Sequence, residues 1–259
     1  MNLLDLTAVQ FQAFLLYFLR GAGFLFVAPV VSARSVPSQF KVALAGGLAL
    51  MFLALNQPAL PARPYETAVW APMAVGELII GLAVGFLVGL IYVVFEFAGR
   101  IFGFQMGFGI VNVLDPQSQE EVSLTGEFLF TIVSLAILNL NLHHAFLLYW
   151  GRSFELVPAG GIDAAGFSIE AFGGMLTTLF VVALQIAAPL LAILFMLDFG
   201  LGIIARVVPQ INVFLVGIPL KIAGGLFVMA MVVGLLNPVV WRVVDKFLTD
   251  AMSVVTSFG

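Results

Sequence analysis

The sequence predicts an all-α, polytopic membrane protein of long kinked helices and helical hairpins, interrupted by one re-entrant glycine-rich loop. Three observations carry this prediction. Of 259 residues, 62% are hydrophobic and 9% are charged, whereas a soluble domain is roughly 45–50% apolar and about 25% charged; the mean hydropathy is +1.16. The apolar residues gather in six runs, Phe11–Val31, Val42–Leu55, Trp70–Ala98, Phe128–Tyr149, Phe172–Ile204 and Ile211–Val240, most of which reach the roughly 20 residues that a membrane-crossing helix needs. Proline and glycine clusters, which stop helices and set turns, separate several of the runs.

Met1 to Leu19, which leads into the first run, contains Asp5 and no Lys or Arg. A secretory signal opens with a cationic region, so this run is expected to belong to the mature protein. Ser32 to Pro37 breaks the first pair of runs. The second run is short for a span, and the connection after it carries Pro58, Pro61 and Pro64. Val157-Pro-Ala-Gly-Gly161 ends the fourth element. The fifth run, at 1.5 Å per residue, would reach roughly 50 Å against a hydrocarbon core of about 30 Å. It must tilt, kink or project, and Pro189 marks the kink point. Loop cations divide five against four between the two sides, which leans weakly toward an outside N-terminus by the positive-inside rule.

Composition also excludes whole classes of function. Without cysteine, disulfides and thiolate-bound metals are ruled out. The two histidines, His143 and His144, are neighbours, which leaves a catalytic metal site without its third ligand. Ten Lys+Arg against fourteen Asp+Glu argues against nucleic acid as a partner. Neither a nucleophile elbow nor a phosphate-binding loop occurs, so no enzyme, metal or cofactor is expected. With 26 Phe against 4 Tyr and 3 Trp, the aromatics suit broad apolar packing more than a headgroup belt.

Charged residues stand where a simple bundle would have none: Arg20 in the first run, Glu77 and Glu96 in the third with Arg100 just beyond, and Asp198 in the fifth. Ionisable groups at membrane depth pair or face a polar cavity. Their scatter, with no chain of acids and histidines, favours pairing that fixes assembly over a proton path. Gly81, Gly85 and Gly89 recur at every fourth position, as do Gly99, Gly103 and Gly107. This spacing makes a groove for a neighbouring helix, and close packing within the chain is the simpler use of it.

Two stretches are less ordinary. Gly99 to Pro116 is apolar but crowded with glycine, carries Gln105 and Asn112, and ends in Asp115-Pro116 before Gln117-Ser-Gln-Glu-Glu121. Glycine weakens a helix by about 1 kcal/mol per site, and non-helical backbone at membrane depth must be buried in protein or line a cavity. A re-entrant or pore-inserted loop is expected. Phe104, Met106, Phe108, Ile110, Val113 and Leu114 supply the soft bulk with which such a loop excludes water. The second stretch, Arg206 to Lys221, sets two cations, the polar Gln210 and Asn212, and the prolines Pro209 and Pro219 between very apolar runs. It reads as the tip of a helical hairpin.

Four places in order along the chain carry a resemblance. They are Ala28-Pro-Val-Val-Ser-Ala-Arg-Ser-Val-Pro37 with Lys41; Gly99-Arg-Ile-Phe-Gly-Phe-Gln-Met-Gly107 running to Asp115-Pro116; Asn141-Leu-His-His144 with Ser153-Phe154 and Val157-Pro158; and Pro209-Gln-Ile-Asn-Val-Phe214 with Gly217-Ile-Pro-Leu-Lys221. Together they resemble the R subunits of the flagellar and virulence type III secretion export gate (the FliR/SpaR/YscT family), and the flagellar branch more closely.

The resemblance implies a helical hetero-oligomer with several P and Q subunits (FliP-like and FliQ-like), contact with a FlhB-like switch subunit, membrane lipid around it, and unfolded exported proteins as cargo. It implies a bacterial inner-membrane, flagellar basal-body location. Residues 1–169 would be a P-like part and residues 170–259 a Q-like helical hairpin. It also maps a pore plug onto roughly Phe104–Glu121. Family members often carry Phe where Ile110 and Val113 stand, whereas Gln105 and Met106 match the usual pattern. A rival assignment is a secondary transporter with Glu77, Glu96, Asp198 and Arg206 as an ion-coupling site. It requires matched broken segments in both halves, and the sequence has one such stretch.

Overall fold

The computed structural model describes residues 3–29, 31, 36–56, 64–108, 123–161, 168–210 and 212–258. Among the described residues all regular structure is helical. The helices are α1 (Leu3–Val27), α2 (Ser38–Asn56), α3 (Thr67–Met106), α4 (Leu124–Asn139), α5 (Leu142–Leu156), α6 (Ile169–Val207), α7 (Val213–Val233) and α8 (Leu236–Thr256). Among them α1, α2, α3, α6 and α7 are long and apolar enough to cross a membrane, and the bent pair α4 and α5 can form a further broken span. The chain is a polytopic, all-α membrane protein. It divides into two compact units, one of residues 1–90, 141–175 and 245–259, the other of residues 91–140 and 176–244.

Three sequence expectations need correction. The run Phe128–Tyr149 is two helices bent by 79°, with a break at Leu140 and Asn141. Asn141 takes the left-handed conformation, φ 55°, which short polar side chains tolerate and helices do not. The run Ile211–Val240 is likewise divided, by a turn at Gly234 and Leu235, and its second part continues to Thr256. Finally, Gly99 to Met106 is helical, the end of the 40-residue α3, and not loop. There α4 packs so closely that a methyl group on Gly99 would stand 2.6 Å from the Gly126 backbone, while Thr125 donates to the Gly99 carbonyl at 2.8 Å. Tertiary contact outweighs the weak helix preference of glycine. The fifth run stays one 39-residue helix through Pro189, about 58 Å long.

The first unit is held by backbone contact between α1 and α3. A methyl group on Gly81 would approach the Arg20 carbonyl to 2.2 Å, and one on Gly85 the Phe24 carbonyl to 2.7 Å. Trp150 is fully buried, edge-on to Phe52 at 4.7 Å and to Phe154 at 5.3 Å. Tyr17 stacks on Phe154 at 4.5 Å. Such aromatic pairs add about 0.5–1.5 kcal/mol to their burial. Tyr149 donates its hydroxyl proton to the Leu248 carbonyl, tying α5 to α8.

In the second unit α6 and α7 form an antiparallel hairpin. Leu201 lies against Gly217 and Leu197 against Gly224. Between them Val208, Pro209, Gln210 and Asn212 stand outside the helices, and the Asn212 carboxamide oxygen accepts from the Leu215 amide at 3.3 Å, capping α7. Along α8, Val240, Val243, Val244, Phe247 and Ala251 are buried, while Trp241, Arg242, Asp245, Lys246 and Thr249 are exposed. That division makes α8 an amphipathic helix, unlike the apolar α7.

Candidate functional site

One cluster of the sequence-predicted residues forms within the second unit. At the end of α3 the chain turns by a glycine C-cap. Gly107 has φ 97°, its amide donates to the Phe104 carbonyl, and the Phe108 amide reaches back to the Gly103 carbonyl, both at 3.1 Å. This pair of bonds satisfies carbonyls that a helix end otherwise leaves open, and glycine supplies the conformation at no steric cost. The sequence therefore sets where the helix stops and which side chains sit at its last turn.

Those side chains face three ways. Phe104 is 77% exposed, whereas Met106 is fully buried. Met106 lies against α7, where a methyl group on Gly225 would come within 2.7 Å of its thioether. Gln105 donates its side-chain N–H to Asp198 Oδ2 at 2.8 Å. Lys221 Nζ lies 2.5 Å from the other oxygen, Oδ1, of the same carboxylate. Asp198 on α6 thus joins the end of α3 to α7. Phe108 is half-buried in the turn. Ile110, Val113 and Leu114 lie outside the described residues.

The hairpin-tip residues are distributed along this unit. Arg206 ends α6, where a cation meets the negative end of the helix dipole, and it is exposed, as are Pro209, Gln210 and Asn212. Lys221 stands further back on α7, at Asp198. Asp198 and Arg206, eight positions apart on one helix, do not pair; the partner of Asp198 is Lys221.

The remaining charges separate into two arrangements. Glu96 and Arg100 pair four residues apart on α3 at 2.8 Å, with 34% and 49% exposure. In the first unit Arg20 and Glu77 pair at 2.6 Å with 0% and 1% exposure. Every Arg20 N–H has an acceptor: both Glu77 oxygens, the Ser153 carbonyl and hydroxyl, and the Val157 carbonyl. The Gly160 amide donates to Glu77 at 2.7 Å, and the guanidinium lies 4.0 Å over the Phe154 ring. Of the five charges singled out in the sequence, Arg20 and Glu77 are the two enclosed by the chain itself. The carboxylates of the transporter assignment do not share one partner set: Glu77 is engaged by Arg20, Glu96 by Arg100, and Asp198 by Lys221 and Gln105. The acceptors on α5 and the Lys221 contact were absent from the sequence reading, and only the prolonged apolar context of each charge hinted at a partner.

Residues 11–247 match the family described as bacterial export proteins, family 1. The chain is 36% identical over 221 residues to the flagellar biosynthetic protein FliR of Bacillus subtilis, covering 82% of this chain and 83% of that protein. It is 30% identical over 244 residues to the flagellar biosynthetic protein FliR of Escherichia coli, covering 91% of each. It is also 30% identical over 208 residues to Yop proteins translocation protein T of Yersinia pestis, covering 76% of each.

Proposed function

The chain belongs to the family of bacterial export proteins, family 1, and from that premise we propose that it is a structural, channel-forming subunit of a flagellar type III export gate, whose residues from Phe104 onward plug the closed pore. It is a type III export component of the bacterial inner membrane. P-like, Q-like and FlhB-like subunits are its partners, and unfolded flagellar proteins its cargo. Residues 1–169 serve as the P-like part and residues 170–259 as the Q-like hairpin. The chain has no catalytic step of its own, and other components supply the energy for transport.

The observation that supports the plug is the end of α3. A glycine cap releases the chain directly after Gln105 and Met106, which are held by Asp198 and Gly225. A closed export channel must hold back ions yet open to an unfolded polypeptide. Flexible apolar groups such as Met adapt to both demands better than a rigid ring.

The test is a deletion of residues 109–114, which spares Gln105 and Met106. The complex with its partner subunits should assemble as before, and membranes carrying it should conduct ions. A deletion complex that assembles and remains as tight as the intact one would overturn the plug assignment.

A further inference from the structure

A cavity of about 550 Å³ opens between α2, α5 and α8 within the first compact unit. That volume falls within the roughly 300–1,000 Å³ usual for small-molecule sites. Phe52, Leu248 and Met252 give it apolar walls, and Arg152, Glu155 and Asp245 line it with charge. Arg152 and Glu155 lie one turn apart on α5, and Asp245 lies on α8. All three are exposed. None forms an ion pair or a side-chain hydrogen bond among the described residues. Opposite charges therefore border one cavity without a direct ion pair between them, and none of these residues belongs to the clusters discussed above.

Charges are costly at hydrocarbon depth, and three of them around one opening suit the level of the lipid headgroups. The ligand that fits has both signs of charge and an apolar body. We propose that this cavity binds an aminophospholipid, with its phosphate at Arg152, its primary ammonium between Glu155 and Asp245, and its glycerol and upper acyl carbons against Phe52, Leu248 and Met252. A guanidinium offers paired N–H donors that match phosphate oxygens. A primary ammonium brings three donors, which two carboxylates accept. A choline headgroup brings no N–H donor. A glycerol headgroup leaves the lipid anionic against two carboxylates. The site thus selects the zwitterion with a primary amine.

The experiment places the full-length chain in nanodiscs of equal parts phosphatidylethanolamine, phosphatidylcholine and phosphatidylglycerol. Native mass spectrometry then identifies the lipid that survives stepwise detergent washing. The ethanolamine lipid should be retained about tenfold over each of the others, the factor supplied by one charge-assisted hydrogen bond at its lower limit. Arg152→Gln should lower the retention of all three lipids, since each carries the phosphate, and the double variant Glu155→Gln, Asp245→Asn should abolish the preference among them. These side chains are exposed, and an unchanged thermal midpoint separates lost binding from lost folding. Equal retention of the three lipids by the wild type, an undiminished preference in the double variant, or undiminished lipid retention in Arg152→Gln overturns the proposal. So does loss of the bound lipid on co-expression with the partner subunits, since the cavity would then be a protein contact.

Discussion

The Arg20–Glu77 and Asp198–Lys221 pairs each set a cation within 2.6 Å of a carboxylate, yet they are built differently. The first is sealed, with acceptors on α5 and in the Val157–Gly160 turn for the protons that Glu77 does not take, and an aromatic face above. The second keeps 35% exposure at Asp198 and 22% at Lys221, and Gln105 completes it. A sealed pair cannot exchange partners without leaving a buried charge behind, so it fixes the packing of α1, α3 and α5. An open pair exchanges partners at little cost. That suits a junction at the end of α3, where the proposed plug begins.

Breaking the sealed pair should have the largest effect. Removing one partner of a buried pair leaves the other uncompensated, which costs about 3–5 kcal/mol. Arg20→Ala is expected to lower the unfolding midpoint of the purified chain sharply and to reduce its level in membranes. The double replacement Arg20→Met, Glu77→Leu should recover most of that loss, since apolar residues replace a buried pair at near-neutral cost. A double variant as unstable as the single one would show that the network contributes more than charge compensation.

Glycine gives the next, smaller contrast. Gly81→Ala forces a methyl group to within 2.2 Å of the Arg20 carbonyl; α1 must shift, and overpacking of this kind costs about 1–3 kcal/mol. Gly46→Ala on α2 meets nothing within 4 Å and should stabilise by up to about 1 kcal/mol through helix preference. Thermal midpoints of the two variants should therefore move in opposite directions. If both moved down together, the contact between α1 and α3 would not be the cause.

The sequence made the larger organisation legible and left the pairings hidden. The apolar runs specified an all-α membrane protein, and Pro209, Gln210 and Asn212 marked a break between two apolar runs, where these residues stand outside α6 and α7. The break at Asn141 was not legible, because one residue in a left-handed conformation decides it inside a run that otherwise reads as continuous. The helical state of Gly99 and Gly103 was hidden for the opposite reason. Local preference disfavours it, and contact with Thr125 and Gly126 settles it. Beyond Glu77, the acceptors of Arg20 lie 133 and 137 positions away and include two backbone carbonyls, which no side-chain pattern can mark. The export role was legible only through resemblance; composition reaches as far as the membrane.

The open pair should show the smallest change in stability and the most specific change in behaviour. A partly exposed ion pair contributes about 0–1 kcal/mol, so Asp198→Asn and Lys221→Gln should barely move the unfolding midpoint. Asparagine retains an acceptor for Gln105, whereas alanine removes it. If Asp198 holds the end of α3 through Gln105 as well as Lys221, ion leakage through membranes carrying the complex should rise from wild type to Asp198→Asn to Asp198→Ala. The Lys221→Gln variant should match Asp198→Asn. Equal leakage in the two Asp198 variants would assign the hold to the charge alone. A loss of stability approaching that of Arg20→Ala would remove the distinction between the two pairs, because Asp198 would then be cementing the fold rather than tethering a helix end.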